Sequence, residues 1–206
     1  LAAFLSHPEA KAANAGATLA AFEDAWSAVN GYRCTIVAHE VAGDDVQDRT
    51  YRLAFRKPHD TRLEIVAGAG KGGVAIWRGG GDVRGHRGGL LSFVHLTVGL
   101  HNPLVTTLRG TTIAAVNFGA VLAHWQALEM QTSIEVHAAP DGLELIAHLG
   151  APTASGVTEE TVVLGRDHLP TAYREYAAGQ LVKSVRYEDV RTDAAIPESD
   201  FSLSGP

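Results

Sequence analysis

The chain of 206 residues has a formal net charge of −6 with histidine neutral, 46% hydrophobic residues and 19% charged ones, which excludes an intrinsically disordered chain and leaves room for a sizeable core. Lys and Arg are scattered; the nearest approach to a cluster, Arg49, Arg52, Arg56, Lys57 and Arg62, falls on alternating strands and reads as a solvated face, so no nucleic-acid partner is expected. One cysteine, Cys34, excludes an intramolecular disulfide and a cysteine metal cluster, and no apolar run of about 18 residues is present to span a membrane.

In chain order, Ser6 and Glu9 have the spacing of a capping box, which predicts a helix over 7–30. Its apolar stripe is Leu19, Phe22, Trp26 and Val29, and Asn30-Gly31 stops it. Tyr32 to Val41 reads as the first strand, with a turn at Gly43-Asp44-Asp45. From Val46 to Gly89 nearly every residue fits a strand or a turn. Tyr51, Leu53 and Phe55 alternate with Arg52, Ala54 and Arg56, and Leu63 and Ile65 alternate with Arg62 and Glu64, the period of strands with one buried face. The glycine runs Gly68 to Gly73 and Gly79 to Gly81 supply tight turns around a short segment ending at Trp77. This is an antiparallel meander.

From Leu90 the period changes. The run to Leu100 is apolar on most sides, Asn102-Pro103 has the form of a helix start, and Thr111 to Leu128 reads as a second helix, apolar almost all round. Strands return at 133–139, 143–149, 161–164, 169–176 and 181–190, with Ala178-Gly179 as the hairpin between the last two. Strands segregated from helices predict an α+β chain with an antiparallel sheet. The expected organisation is a single domain over 1–206: a helix at 7–30, one sheet half at 32–88, a helical lid at 90–128 and a second sheet half at 132–203.

Catalytic signatures are missing from the sequence. The run Gly68 to Gly73 contains Lys71 but lacks the spacing, the Ser or Thr and the following helix of a phosphate loop. His39-Glu40 lacks the second histidine of a zinc helix. His86, His95 and His101 form the densest histidine group, which a metal site or a hydrolase could use, but no further ligand or nucleophile elbow accompanies them. The adjacent carboxylates Glu159-Glu160 point to opposite strand faces, a poor arrangement for paired acid and base work. Binding or carriage is the better class, with no cofactor and no metal expected.

The segment YRLAFRKPHDTRLE, the hairpin into AIWRGGGDV, and the closing HLPTAYREYAAGQLVKSVRYEDV followed by AIPESDF together resemble the LolA-like outer-membrane lipoprotein-sorting and lipid-binding proteins, over most of residues 19–203. The resemblance implies a strongly curved antiparallel sheet, an incomplete β-barrel with helices over its concave face, that holds acyl chains in an apolar slot. The implied partners are lipid or lipoprotein acyl chains and an envelope acceptor protein. The implied setting is the periplasm or cell envelope. A chain beginning at Leu1 without methionine fits removal of a signal peptide. On that layout the slot is expected between Tyr51, Leu53, Phe55, Leu63, Ile65 and Ile76 of the sheet and Val116, Phe118, Val121 and Trp125 of the helix. Arg33, Arg49 and Arg52 are alternative positions for the arginine with which a lipoprotein carrier controls its lid. The rival expectation is an interaction module whose slot is filled by its own helix.

Overall fold

The computed structural model describes residues 14–89, 93–192 and 195–203. The predicted capping box at Ser6 and Glu9 therefore lies outside the described residues, as does the start of the apolar run at Leu90. Eleven strands form one antiparallel sheet. The first six are β1 (Gly31–Ala42), β2 (Asp45–Arg56), β3 (Asp60–Gly68), β4 (Val74–Trp77), β5 (Asp82–His86) and β6 (His95–Gly99). The last five are β7 (Ile134–Ala139), β8 (Gly142–His148), β9 (Glu159–Gly165), β10 (Pro170–Ala177) and β11 (Gln180–Arg191). Helices α1 (Ala15–Ala28) and α2 (Phe118–Glu129) lie on one face, and a 3-10 turn (Ile113–Ala115) precedes α2.

The spatial order is β6-β5-β4-β3-β2-β1-β11-β10-β9-β8-β7. The first and last strands thus pair at the centre, and each half walks outward by hairpins to an edge. Hairpins need no long crossovers, so sequence neighbours become spatial neighbours. The β10–β11 turn is Ala178-Gly179 with φ of 48° and 77°, the doubly left-handed geometry that matches strand twist.

Asn14 caps α1, its Oδ1 accepting from the Ala17 N–H at 2.7 Å. Leu19 and Phe22 of this helix are buried against Tyr32, Cys34 and Ile36 of β1 and Leu53 and Phe55 of β2. From α2, Phe118, Val121, Leu122, Trp125 and Leu128 enter the same core, which continues through Leu145, Val162, Leu164, Val185 and Tyr187. An aromatic hub joins the layers: the rings of Tyr32 and Phe118 stack with centroids 4.3 Å apart, and Trp26 lies 5.7 Å from Phe55. A Cβ on Gly119 would sit 2.9 Å from Trp26 Nε1, so this glycine lets α1 and α2 approach closely.

Three expectations are corrected between residues 90 and 130. His95–Gly99 is a strand, because Val83, Arg84 and Gly85 of β5 pair with Val98, Thr97 and Leu96. Asn102-Pro103 opens a run of turns and no helix, with Asn102 Oδ1 accepting from the Leu104 N–H at 3.0 Å. The second helix starts at Phe118, not Thr111, because Asn117 caps it by accepting from the Ala120 N–H at 3.0 Å. The shorter helix no longer contains Ile113 or Val116, so its buried residues fall on one face and it is amphipathic in the ordinary way.

On the convex side, residues 195–203 form a strap with a 3-10 turn at Glu198–Phe201. Ile196, Phe201 and Leu203 cover Val74 and Ile76 in a second small core. Arg56 and Arg78 of the sheet each pair with both Asp60 and Glu198. Arg62 Nη1 donates to the Ser202 carbonyl at 3.0 Å, and Arg33 pairs with Asp200. No described helix is long and apolar enough to cross a membrane.

Candidate functional site

Register decides which side chains of β3 to β6 face inward, since directly paired residues share a face of the sheet. Leu63 pairs with Ala75, Ala75 with Gly85, and Gly85 with Leu96. One row across four strands therefore reads Leu63-Ala75-Gly85-Leu96, with two nearly bare positions at its centre. Above it passes the 100–117 segment. The result is a cavity of about 530 Å³, floored by Leu63, Ile65, Ala75, Val83 and Val98 and roofed by Val105, Ile113 and Val116. That volume lies within the range of ligand clefts, about 300–1,000 Å³.

A second cavity of about 410 Å³ adjoins the first, and the two share Tyr51, Leu63 and Val116 together with Thr107, Thr111 and Thr112 of the roof. It runs under α2 toward β10 and β11, and its far wall is charged. Glu40 Oε1 accepts from Thr107 Oγ1 at 2.8 Å, and Glu40 Oε2 accepts from the Arg109 N–H at 2.9 Å. The Arg109 guanidinium, 7% exposed, reaches Glu175 at 3.4 Å and donates to the Val41 carbonyl at 2.9 Å. Lys183 Nζ donates to Thr111 Oγ1 at 2.7 Å and to Glu175 Oε1 at 3.0 Å. Beside it, the Tyr173 hydroxyl donates to Glu160 Oε2 at 2.7 Å, and His124 Nε2 of α2 meets the same oxygen at 2.5 Å.

Carboxylates and cations in this wall neutralise one another, which is how buried charge is tolerated. The hydrogen bond to Glu160 raises the pKa of His124 above its ordinary value, burial opposing it. Burial pushes Glu160 upward, yet the hydrogen bond and charge of His124, the Tyr173 hydroxyl and Lys183 outweigh it and its pKa is lowered. The wall ties the roof and α2 to the sheet.

Of the residues expected to line the slot, Tyr51, Leu63, Ile65 and Val116 border the first cavity, and Val121 borders the second along with Tyr51, Leu63 and Val116. Leu53, Phe55, Phe118 and Trp125 are at most 1% exposed and sit in the solid core between helices and sheet. Ile76 is placed on the opposite face. It pairs with Arg62 and Arg84 in the outward row and packs under Phe201 of the strap.

Sequence reasoning missed the small floor residues Ala75 and Gly85, and it missed the charged wall. The wall had a signal: Glu40 is in phase with Ile36 and Ala38, Glu160 with Val162 and Leu164, and Lys183 with Val185 and Tyr187, so each is a charge at an inward position. The arginine alternatives also separate. Arg33 holds the strap, Arg52 reaches Glu64 on the convex side, and Arg49 faces the first cavity.

His86 and His95 are cross-strand partners with ring centroids 6.1 Å apart, whereas His101 borders the second cavity. Among the described residues no three His, Cys, Asp or Glu side chains converge as metal ligands would. Burial pushes the Cys34 thiol up to about 12, which keeps it un-ionised and a poor nucleophile. The Gly68 to Gly73 run is the β3–β4 hairpin, at the mouth of the first cavity.

No protein-family model matches the chain, and no curated protein does. Solved structures do match. MucB is 12% identical, with a TM-score of 0.50, over 91% of this chain and 62% of its own, so this chain spans less than two thirds of MucB. The chain shares its fold with MucB. The LolA superfamily protein NE2245 from Nitrosomonas europaea is 12% identical over 93% of this chain and 98% of its own, with a TM-score of 0.45. A putative outer membrane lipoprotein-sorting protein domain from Vibrio parahaemolyticus is 10% identical over 91% of this chain and 97% of its own, with a TM-score of 0.44. These identities concern the fold alone. The open sheet has β6 and β7 as its two edges, and the helices cover the centre and the β7 half.

Proposed function

We propose that this protein is a non-enzymatic carrier or binding protein of the cell envelope that holds lipid or lipoprotein acyl chains in the cavity between β3–β6 and the 100–117 segment. One observation carries the reading: a cavity of about 530 Å³ with an apolar floor and roof, set on a face of the sheet that its own helices leave uncovered. The envelope setting follows the sequence resemblance. Each methylene buried gains roughly 0.8 kcal/mol, against association and ordering costs of about 4–15 kcal/mol, so a long chain is needed and a short one does not suffice. Tyr51, Leu63, Ile65 and Val116 are the expected contacts, with Val121 reached by a chain that continues into the second cavity. Leu53, Phe55, Phe118 and Trp125 support the walls from behind.

Native mass spectrometry of the purified protein, followed by organic extraction, tests this. The expected result is a stoichiometric lipid, or uptake of added phospholipid or fatty acid by the empty protein. Ala75→Trp, which places an indole in the centre of the floor, is expected to block uptake without unfolding the chain. The rival, an interaction module with its concave face filled, is favoured by the packing of α1 and α2 over β1, β2 and β8–β11. A clean empty mass with no uptake of any added lipid would establish that rival.

A further inference from the structure

The first cavity has a mouth of one electrostatic sign. Its lining contains Arg49, Lys71 and Arg87 and neither aspartate nor glutamate. Arg49 Nε donates to the Ala69 carbonyl at 2.8 Å, and among the described residues none of the three cations has a carboxylate partner. Several cations elsewhere are paired: Arg56 and Arg78 share Asp60 and Glu198, Arg174 meets Glu144, and Arg109 and Lys183 meet Glu175. In a chain of net charge −6, three cations thus border one cavity whose lining holds no carboxylate.

The backbone gathers them there. A Cβ on Gly88 would fall 1.8 Å from the Lys71 carbonyl oxygen, and one on Gly72 would fall 3.3 Å from the Gly88 Cα. The β3–β4 hairpin and the turn after β5 are thus in direct contact, and Lys71 and Arg87 leave from touching loops. Arg49 is braced against the same hairpin at Ala69.

We propose that the cavity takes an acyl amphiphile with an anionic head group, its chain in the apolar interior and its head among Arg49, Lys71 and Arg87. The proposal rests on the lipid-binding reading and specifies its ligand. An anionic head gains charge-assisted hydrogen bonds from guanidinium and ammonium donors that a neutral head cannot match. The carboxylate of a fatty acid and the phosphodiester of a lysophospholipid share that chemistry.

The test is titration of the delipidated protein, by calorimetry and native mass spectrometry, with lysophosphatidylglycerol, palmitate and an uncharged monoacylglycerol of equal chain length. At least one anionic ligand should bind about tenfold more tightly than the monoacylglycerol, and raising salt from about 50 to about 500 mM should shrink the difference. The variant R49Q/K71Q/R87Q should lose the preference and keep its monoacylglycerol affinity. Its folding is checked by thermal melting, with K71Q alone as the milder variant, in which the preference should fall by part of the full amount. A preference for lysophosphatidylglycerol over palmitate would assign the phosphodiester, and the reverse the carboxylate. Equal affinity for all three lipids, or a preference unchanged in the triple variant, would overturn the proposal while leaving the lipid-binding reading intact. Binding of none of the three would overturn that reading.

Discussion

The two halves of this sheet are built alike and filled differently. In both, hairpins run outward from the central β1–β11 pair. Over β1, β2 and β8–β11 the concave face meets Phe22, Phe118 and Trp125, each 0% exposed, and the space left beside α2 is the smaller, charged-walled cavity. Over β3–β6 the inward row carries Ala75 and Gly85 at its centre, and neither α1 nor α2 lies on it. The difference teaches that a cavity can be set by side-chain volume in one row of a sheet, without any change of backbone plan.

The largest expected effect comes from hollowing the solid half. Trp125→Ala should cost about 3–5 kcal/mol, read by urea unfolding, and an unchanged midpoint would show that this half is not solid. Next is the charged wall where the halves meet. Lys183→Met leaves Glu175 and Thr111 short of a partner and should cost about 1–3 kcal/mol, with the loss measured at neutral pH. A smaller effect is expected from pH. The raised pKa of His124 gives stability that is complete below 6.5 and lost as pH rises through its folded value; the lowered pKa of Glu160 gives stability that is complete above 4.5 and lost as pH falls through its folded value. Stability from this pair should therefore be greatest between about 4.5 and 6.5 and decline on both sides. His124→Gln should abolish the alkaline decline, which unfolding curves at several pH values would reveal. Smallest of all, Ala75→Leu should gain stability at the low end of about 0.5–2 kcal/mol while reducing acyl uptake, making the hollow half resemble the solid one.

Much of this fold is legible in the sequence because alternation and glycine turns mark most strands directly. The 102–118 stretch is not, since Asn117 ends an apolar run that reads as helix until its side chain is seen to cap the next turn. The site is harder to read for a different reason. Val74-Ala75-Ile76-Trp77 is apolar on both faces, so alternation alone gives no inside, and only the pairing of Leu63 with Ala75 turns Ile76 outward. Ala75 and Gly85 mark the cavity by lacking bulk, and a missing side chain leaves no signal in a hydrophobic pattern. Arg49 reads as one of five scattered cations until the sheet separates it from Arg52, Arg56 and Arg62.

The strap over 195–203 gives the hollow half a particular kind of endurance. Its ties to Arg56, Arg62 and Arg78 are made on the outside of the wall, away from the cavity. On the proposed carrier reading, a wall braced from its outer surface is expected to keep its shape whether empty or full, so that loading and unloading need not be coupled to collapse.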